Sequence, residues 1–339
     1  MADQGHKDGE ASLLADERIS WKVPVLLNND WIALRLAKAL NPQLPKPLFE
    51  SVYGCPPCAW AGGRPSKVRR TLEASELRRY FEAYAEVGAS CALTLSRPDA
   101  CEELHDPYCN MLPQLLDEYQ GQGIVVDERL ARHIRSTHPD IKLVASNNRV
   151  FLDYNSGFLG LSEERYYRQL LELYDVVVVR SEALLAGGIA EDLVDIASRV
   201  ELIVNQRCIP NCPVASWHIQ AGAEVVKDRL AGGDAVWPHC KYPDRTETIV
   251  VPAERRGELV QMGFCDFKLQ GRNRKPHHVV AYLVDSILSK QGIEALKDTL
   301  RPIMQEAFFL GLFDASVDAL ISIPKGSCPP PTLSDGSTS

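Results

Sequence analysis

The residues best equipped to do chemistry are cysteines. Cys208 and Cys212 are separated by three residues in Asn205-Gln-Arg-Cys-Ile-Pro-Asn-Cys-Pro213, and Cys240 follows in Trp237-Pro-His-Cys240. Thiolates presented on irregular backbone can converge on one soft metal, and a set of four suits zinc or an iron-sulfur cluster. The chain holds ten cysteines, which in a reducing compartment serve as metal ligands, reactive thiols or small core residues rather than as a disulfide framework. Spacing and position must separate these roles. A radical S-adenosylmethionine site would need C-x3-C-x2-C, and its third position is occupied by Ala215.

What must position the thiols is a series of short apolar, β-branched runs at 23–27, 48–53, 91–96, 123–127, 141–146, 175–180, 200–205 and 266–270. Between them, 32–40, 76–87, 128–136, 163–174 and 190–198 carry apolar residues at three- and four-residue spacing, the mark of helices. Alternating strands and helices predict a parallel sheet, and eight strands favour closure. The expected fold is an α/β (β/α)8 TIM-like barrel with long loops after strands two and seven. About sixty residues follow the seventh strand before the eighth begins, with helical patterns only at 217–230 and 254–262. The other long stretch, 54–75, follows the second strand. Both leave the C-terminal face, where such barrels keep their chemistry. Residues 1–18 and 324–339 are rich in small polar residues, so disordered tails are expected to flank a single barrel domain at 19–323.

This layout sorts the cysteines. Cys265 lies just before the eighth strand and Cys91 opens the third, which puts both on the N-terminal rim, a strand length of roughly 15 Å from the mouth. A metal–sulfur bond of about 2.3 Å cannot bridge that distance. Cys55 and Cys58 follow the second strand, and Cys101 and Cys109 the third, so a fourth ligand should come from these; Cys328 belongs to the tail. Zinc remains an alternative to iron-sulfur, because thiolate count alone does not distinguish them.

The second half of the chain resembles the collagenase-like peptidase family U32, whose better-understood members are not peptidases. The likeness runs through Val144-Ala-Ser-Asn-Asn-Arg149, Asp175-Val-Val-Val-Val-Arg-Ser-Glu182, the segment 200–213 with His218, and Phe267-Lys-Leu-Gln-Gly-Arg272. In the first half only the layout and Tyr53-Gly54 followed by Gly62-Gly-Arg64 are similar. The resemblance implies a (β/α)8 barrel holding a 4Fe-4S cluster. It also implies enzymes that hydroxylate an aromatic precursor of ubiquinone, or a base in RNA, without molecular oxygen, using a small metabolite such as prephenate as oxygen donor. On that footing Cys208, Cys212 and Cys240 would hold the cluster, with Cys101 as the fourth ligand ahead of Cys58. The chain lacks a counterpart of the additional C-terminal domain of longer members, which points away from an RNA substrate.

Other residues fit an anionic ligand at the mouth. Arg272 ends the eighth strand and Lys268 lies within it. A barrel wall does not tolerate an unpaired charge, so each needs a carboxylate-bearing substrate or an internal partner such as Glu182 or Asp127. Arg64, in Gly62-Gly-Arg-Pro65, sits where backbone can approach a ligand or simply turn. Asn147, with Asn148, Asn28 and Asn29, offers amides that orient substrate or cap helices. His218, about one and a half turns past the cysteine pair, is placed for proton transfer or for a structural hydrogen bond, and His239 adjoins Cys240. The expected roles are therefore catalytic for His218 and Arg272, substrate-binding for Arg64, Asn147 and Lys268, and metal-binding for Cys208, Cys212, Cys240 and Cys101.

A net charge of −8 argues against a broad nucleic-acid footprint. No run of about 18 apolar residues exists, and the first twenty residues are polar and acidic, so a cytoplasmic protein with no membrane association is expected. The leading function is an iron-sulfur-dependent enzyme that hydroxylates or otherwise oxidises a small aromatic or carboxylate-bearing substrate. The alternatives are a non-catalytic iron-sulfur subunit of a redox complex, and a peptidase. Against the last stand the missing G-x-S-x-G elbow and H-E-x-x-H helix. A homodimer and a heterodimer are both compatible with these residues.

Overall fold

The computed structural model describes residues 12–62, 68, 70–206, 208–209, 211–236, 249–271 and 275–313. Among them, eight parallel strands close into a barrel: β1 (Ser20–Val23), β2 (Ser51–Gly54), β3 (Ser90–Leu95), β4 (Gln122–Val125), β5 (Lys142–Ala145), β6 (Val176–Val179), β7 (Val200–Ile203) and β10 (Asp266–Lys268). Each pairs with its neighbour in chain order, and β10 returns to β1. Two short strands, β8 (Asn205–Gln206) and β9 (Ile249–Val250), form a separate antiparallel pair. The chain is thus an α/β (β/α)8 barrel, as the alternation of patterns predicts.

Helices α1 (Asp30–Leu40), α2 (Ala74–Ala85), α3 (Pro107–Glu118) and α4 (Glu128–Thr137) follow the first four strands. β5 is followed by α5 (Asn147–Asn155) and α6 (Glu163–Leu170), and β6 by α7 (Ser181–Ala186) and α8 (Ile189–Asp192). Then come α9 (Ala215–Leu230), α10 (Ala253–Gln261), α11 (Pro276–Ile287), α12 (Lys290–Ala295) and α13 (Lys297–Phe313). No described helix is long and apolar enough to cross a membrane. Residues just past strand ends start the next helix: Asp127 accepts a hydrogen bond from the Arg129 N–H and Ser146 from the Asn148 N–H. Strand end and helix start are thereby locked together at the mouth.

Side chains facing the barrel interior come from alternate positions of successive strands. Tyr53, Ala92, Ile124, Val144, Val176, Val178 and Ile203 make an apolar cluster of their own, apart from the larger layer between strands and helices. The remaining sector is ionic. Glu201 of β7, with no exposed surface, lies 2.7 Å from the ammonium of Lys22 on β1 and 2.7 Å from that of Lys268 on β10. Asp266 adds a weaker contact to Lys22 at 3.3 Å. The Lys268 ammonium also stands 4.5 Å from the centre of the Tyr53 ring, whose hydroxyl donates to the Leu269 carbonyl at 2.6 Å.

This network corrects two expected boundaries. β1 spans 20–23 rather than 23–27, because Lys22 is neutralised inside the barrel and so does not break the strand. Val25 to Leu27 instead turn tightly, with Leu27 at φ 60°. Gly54 lets the end of β2 approach that turn, since a Cβ there would fall 2.1 Å from the Leu26 carbonyl oxygen. The ordered fold also begins before residue 19: Leu14 is buried and bridges Leu288, and the Ser289 N–H donates to Leu13.

Burial opposes the charge on Glu201, but its two lysines outweigh that cost and lower its carboxyl to about 2. Its contribution to stability is therefore complete above the ordinary glutamate range and is lost only as pH falls toward 2. Glu201→Gln leaves two buried ammonium groups short of a carboxylate, and should lower the unfolding free energy by about 3–5 kcal/mol in denaturant titrations at neutral pH. A change within about 0.5 kcal/mol would show that water, not Glu201, neutralises the lysines.

Candidate functional site

The C-terminal ends of β7 and β10 are stitched together at the mouth. The Asn205 amide donates to the Gln270 carbonyl at 3.1 Å and accepts from the Gln270 N–H at 2.6 Å, while the Val204 N–H donates to the Lys268 carbonyl. Beyond this junction Asn205 and Gln206 pair with Val250 and Ile249. The β8–β9 ladder therefore returns the end of the long excursion to the place where it began, directly beside the cysteine pair.

Cys208 is half-buried and Cys212 buried, and both belong to an apolar cluster with Phe151, Ile209 and Ala215, edged by Val214 and Ile219. Two loop residues outside that cluster fix its backbone. Asn211, at φ 51°, accepts from the Arg180 guanidinium at 2.8 Å and from the Tyr154 hydroxyl at 3.0 Å. Its own N–H donates to Glu182 at 3.3 Å, and the Gln206 amide donates to the same carboxylate at 3.4 Å. Arg180 is itself held by two 2.9 Å hydrogen bonds to Glu163, an ion pair with Glu182 at 3.5 Å, and the face of Tyr154 at 3.7 Å. Burial works against its charge, yet Glu163 and its other neighbours keep the guanidinium above its ordinary range. The loop bearing both thiols is thus clamped by a permanently charged group.

Among the described residues, the buried Oε1 of Gln206 and Oδ1 of Asn147 at this end have no hydrogen-bond partner. Such acceptors are costly unless a ligand or water uses them. His218 lies in the first turns of α9, half-buried, its backbone N–H bonded to the Val214 carbonyl and its ring 6.1 Å from that of Trp217. Lys268 is buried in the ionic sector with Glu201, so the internal partner is neither Glu182 nor Asp127. Arg272, Arg64 and Cys240 lie outside the described residues.

No family model matches the chain, and no curated protein matches it. Among solved structures, the chain is similar to the U32 peptidase Mk0906, with a TM-score of 0.46 and 15% sequence identity over 80% of this chain and 97% of that one. The barrel described above rests on its own strand pairing.

The other cysteines divide into separate environments. Cys101 has its N–H bonded to Asp127 at 2.9 Å, and burial together with that carboxylate pushes its thiol up. The sulfurs of Cys55 and Cys58 lie 3.8 Å apart, and Cys109 is fully buried. Among the described residues, no three His, Cys, Asp or Glu side chains surround a point as a metal ion requires.

Sequence reasoning brought Cys208, Cys212 and Asn147 to the mouth but missed the clamp. Arg180 and Glu182 are legible only as charges closing an apolar strand, and nothing local reveals that both serve a loop some thirty residues later. Asn211→Ala removes both side-chain contacts and places a Cβ residue that disfavours positive φ. Amide exchange at 211–215 should quicken at least ~10-fold, equivalent to about 1.4 kcal/mol of local opening, while the barrel strands keep their protection. Unchanged exchange would mean that the loop is held by something other than Asn211.

Proposed function

We propose that this chain is an iron-sulfur-dependent enzyme that modifies a small aromatic or carboxylate-bearing substrate at the barrel mouth, by oxygen-independent hydroxylation or a related redox step. The observation that carries the reading is the pairing of Cys208 and Cys212 on a clamped loop at the C-terminal face, where barrels of this type keep their chemistry.

The donor chemistry of that pair fits a thiolate-held group. Both thiols sit among Phe151, Ile209 and Ala215, a setting that limits water around a cluster and favours soft-metal binding. Cys208 and Cys212 would hold the group together with Cys240 and, as the fourth ligand, Cys101 in this proposal. When bound, a 4Fe-4S cluster supplies a Lewis-acidic, redox-capable iron.

The remaining roles fall to side chains of this chain. The bare acceptors of Gln206 and Asn147 suit a substrate that presents N–H or O–H donors. Arg272 and Arg64 supply the fixed positive charge that a carboxylate of the substrate, or of a small-metabolite oxygen donor, would use. His218 is the proposed carrier of a proton near the cysteine loop. None of these roles calls on nucleic acid.

Anaerobically purified protein should be brown, with about four irons and four sulfides per chain. Cys208→Ala and Cys212→Ala should abolish the visible absorption, whereas Cys265→Ala, just before β10 at the opposite rim, should leave it intact. A colourless, fully active protein containing stoichiometric zinc removes the cluster from the proposal. Incubated with candidate aromatic acids under strict anaerobiosis, the reconstituted enzyme should yield a product heavier by one oxygen in mass spectrometry. Neutralising Arg272 should weaken binding without bleaching the cluster. Product that takes its oxygen from air leaves the redox-subunit reading ahead.

A further inference from the structure

The turn that carries β1 into α1 is held by one buried carboxyl group. Leu27, in that turn, has φ 60°, a conformation that is costly for a residue with a Cβ. Oδ1 of Asp30, the first residue of α1, accepts the Leu27 N–H at 3.0 Å and the hydroxyl of Tyr84, on α2, at 2.8 Å. One oxygen atom thus joins the turn, the start of α1 and the end of α2. The turn also fixes the exit of β2, because Gly54 packs on the Leu26 carbonyl without room for a Cβ.

Asp30 differs from the other buried acids among the described residues in lacking a cation. Glu201 meets two lysines, and Asp127 stands 3.8 Å from Arg129. Asp30 is 2% exposed, its Oδ2 is buried without a hydrogen-bond partner, and among the described residues it makes no ion pair. The titratable groups facing it are Tyr84 on α2, with Tyr80 beyond, and Cys91 on β3; burial and then the Asp30 charge push the Tyr84 hydroxyl and the Cys91 thiol up. The nearby cations are engaged elsewhere. On α1 Arg35 pairs with Glu306 and Lys38 with Glu86, and on α2 Arg78 pairs with Glu118, all at partly exposed positions. A carboxylate so enclosed is poorly solvated, and no opposite charge offsets the loss. Burial outweighs the hydrogen bonds from Tyr84 and Leu27 and raises the carboxyl to about 7.

We propose that Asp30 is a proton-operated latch: as the neutral acid it locks the β1–α1 turn against α2, and on losing its proton it loosens that turn and the β1 and β2 exits at the mouth. In the acid form Oδ1 keeps both donors and no charge is enclosed. In the ionised form a whole charge lies in the apolar layer with one oxygen bare, and opening the turn to water solvates it. The latch's contribution to stability is complete below the ordinary aspartate range, falls as pH rises, and is gone above about 7. This is the opposite of the dependence that Glu201 gives. No proposed cluster ligand or substrate group takes part, so the latch stands apart from the hydroxylase reading.

Denaturant unfolding of the full chain and of its Asp30→Asn variant tests it. Between about pH 5.5 and about pH 7.5 the unfolding constant of the natural chain should rise about 10-fold or more relative to that of the variant. Amide exchange at 27–30, corrected for intrinsic rates, should quicken by a similar factor in the natural chain alone. Carbon NMR should show the Asp30 carboxyl titrating near neutral pH. Tyr84→Phe takes a donor from the ionised form and should move that midpoint upward, which a merely structural tyrosine would not do. These two NMR measurements decide the matter even where Asp30→Asn does not fold. A midpoint in the ordinary aspartate range, a midpoint that Tyr84→Phe leaves in place, or the same pH dependence of unfolding in natural chain and variant would each overturn the proposal.

Discussion

The seam of the barrel is ionic. β1 and β10 are the first and last strands, and their interior lysines, Lys22 and Lys268, stand in register and share the carboxylate of Glu201 on β7. Each charge is almost wholly withdrawn from water, so each is tolerable only in the presence of the others. A one-residue slip of β1 or β10 would turn its lysine to the opposite face of the sheet and leave the carboxylate stranded. An apolar seam could slip at little cost. This one cannot, and residues separated by 179 positions must therefore find one another for the barrel to close.

Once β7 and β10 are held side by side, the geometry of the mouth follows. Asn205 and Gln270 extend the same two strands and exchange hydrogen bonds, so the loops leaving them start from a common fixed point. The β8–β9 ladder brings the long excursion back to that point, and the Arg180–Glu182–Asn211 clamp holds the cysteine loop from the β6 side. A clamp made of a guanidinium suits this task, because it stays charged at any working pH and fills several acceptors at once. The thiols are thus positioned by charge at their backbone while their sulfurs lie among apolar side chains.

The strand count and the closure into a barrel were legible because Val176 to Val179 and Val200 to Ile203 are continuous apolar runs of the length a buried parallel strand needs. The start of β1 was not, since Lys22 reads as a solvated charge until Glu201 is brought to it. α3 escaped the periodicity reading for a different reason: Pro113 lies inside it, and an internal proline weakens a helical pattern even where, as with Pro107, another proline suits the helix start. The placement of Cys208, Cys212 and Asn147 at strand ends followed directly from strand order. Which cysteines share a site did not. Cys55, Cys58, Cys101 and Cys109 all follow β2 or β3, and only the packing of α3 against the β2 loop separates Cys101 from the other three.

The same residue type occupies three environments in this fold, and the differences bear on what each thiol can do. Cys91 lies within β3, where burial and then the nearby Asp30 push its thiol up; it behaves as a small apolar side chain filling the layer behind the strand. Cys208 and Cys212 sit at the edge of the mouth, on a loop whose backbone is fixed from outside. Cys55, Cys58 and Cys109 are enclosed, the first two with their sulfurs in contact, on two elements anchored independently, one by prolines and Arg97 and the other by Asp106, and they fill the apolar layer behind the strands as small side chains.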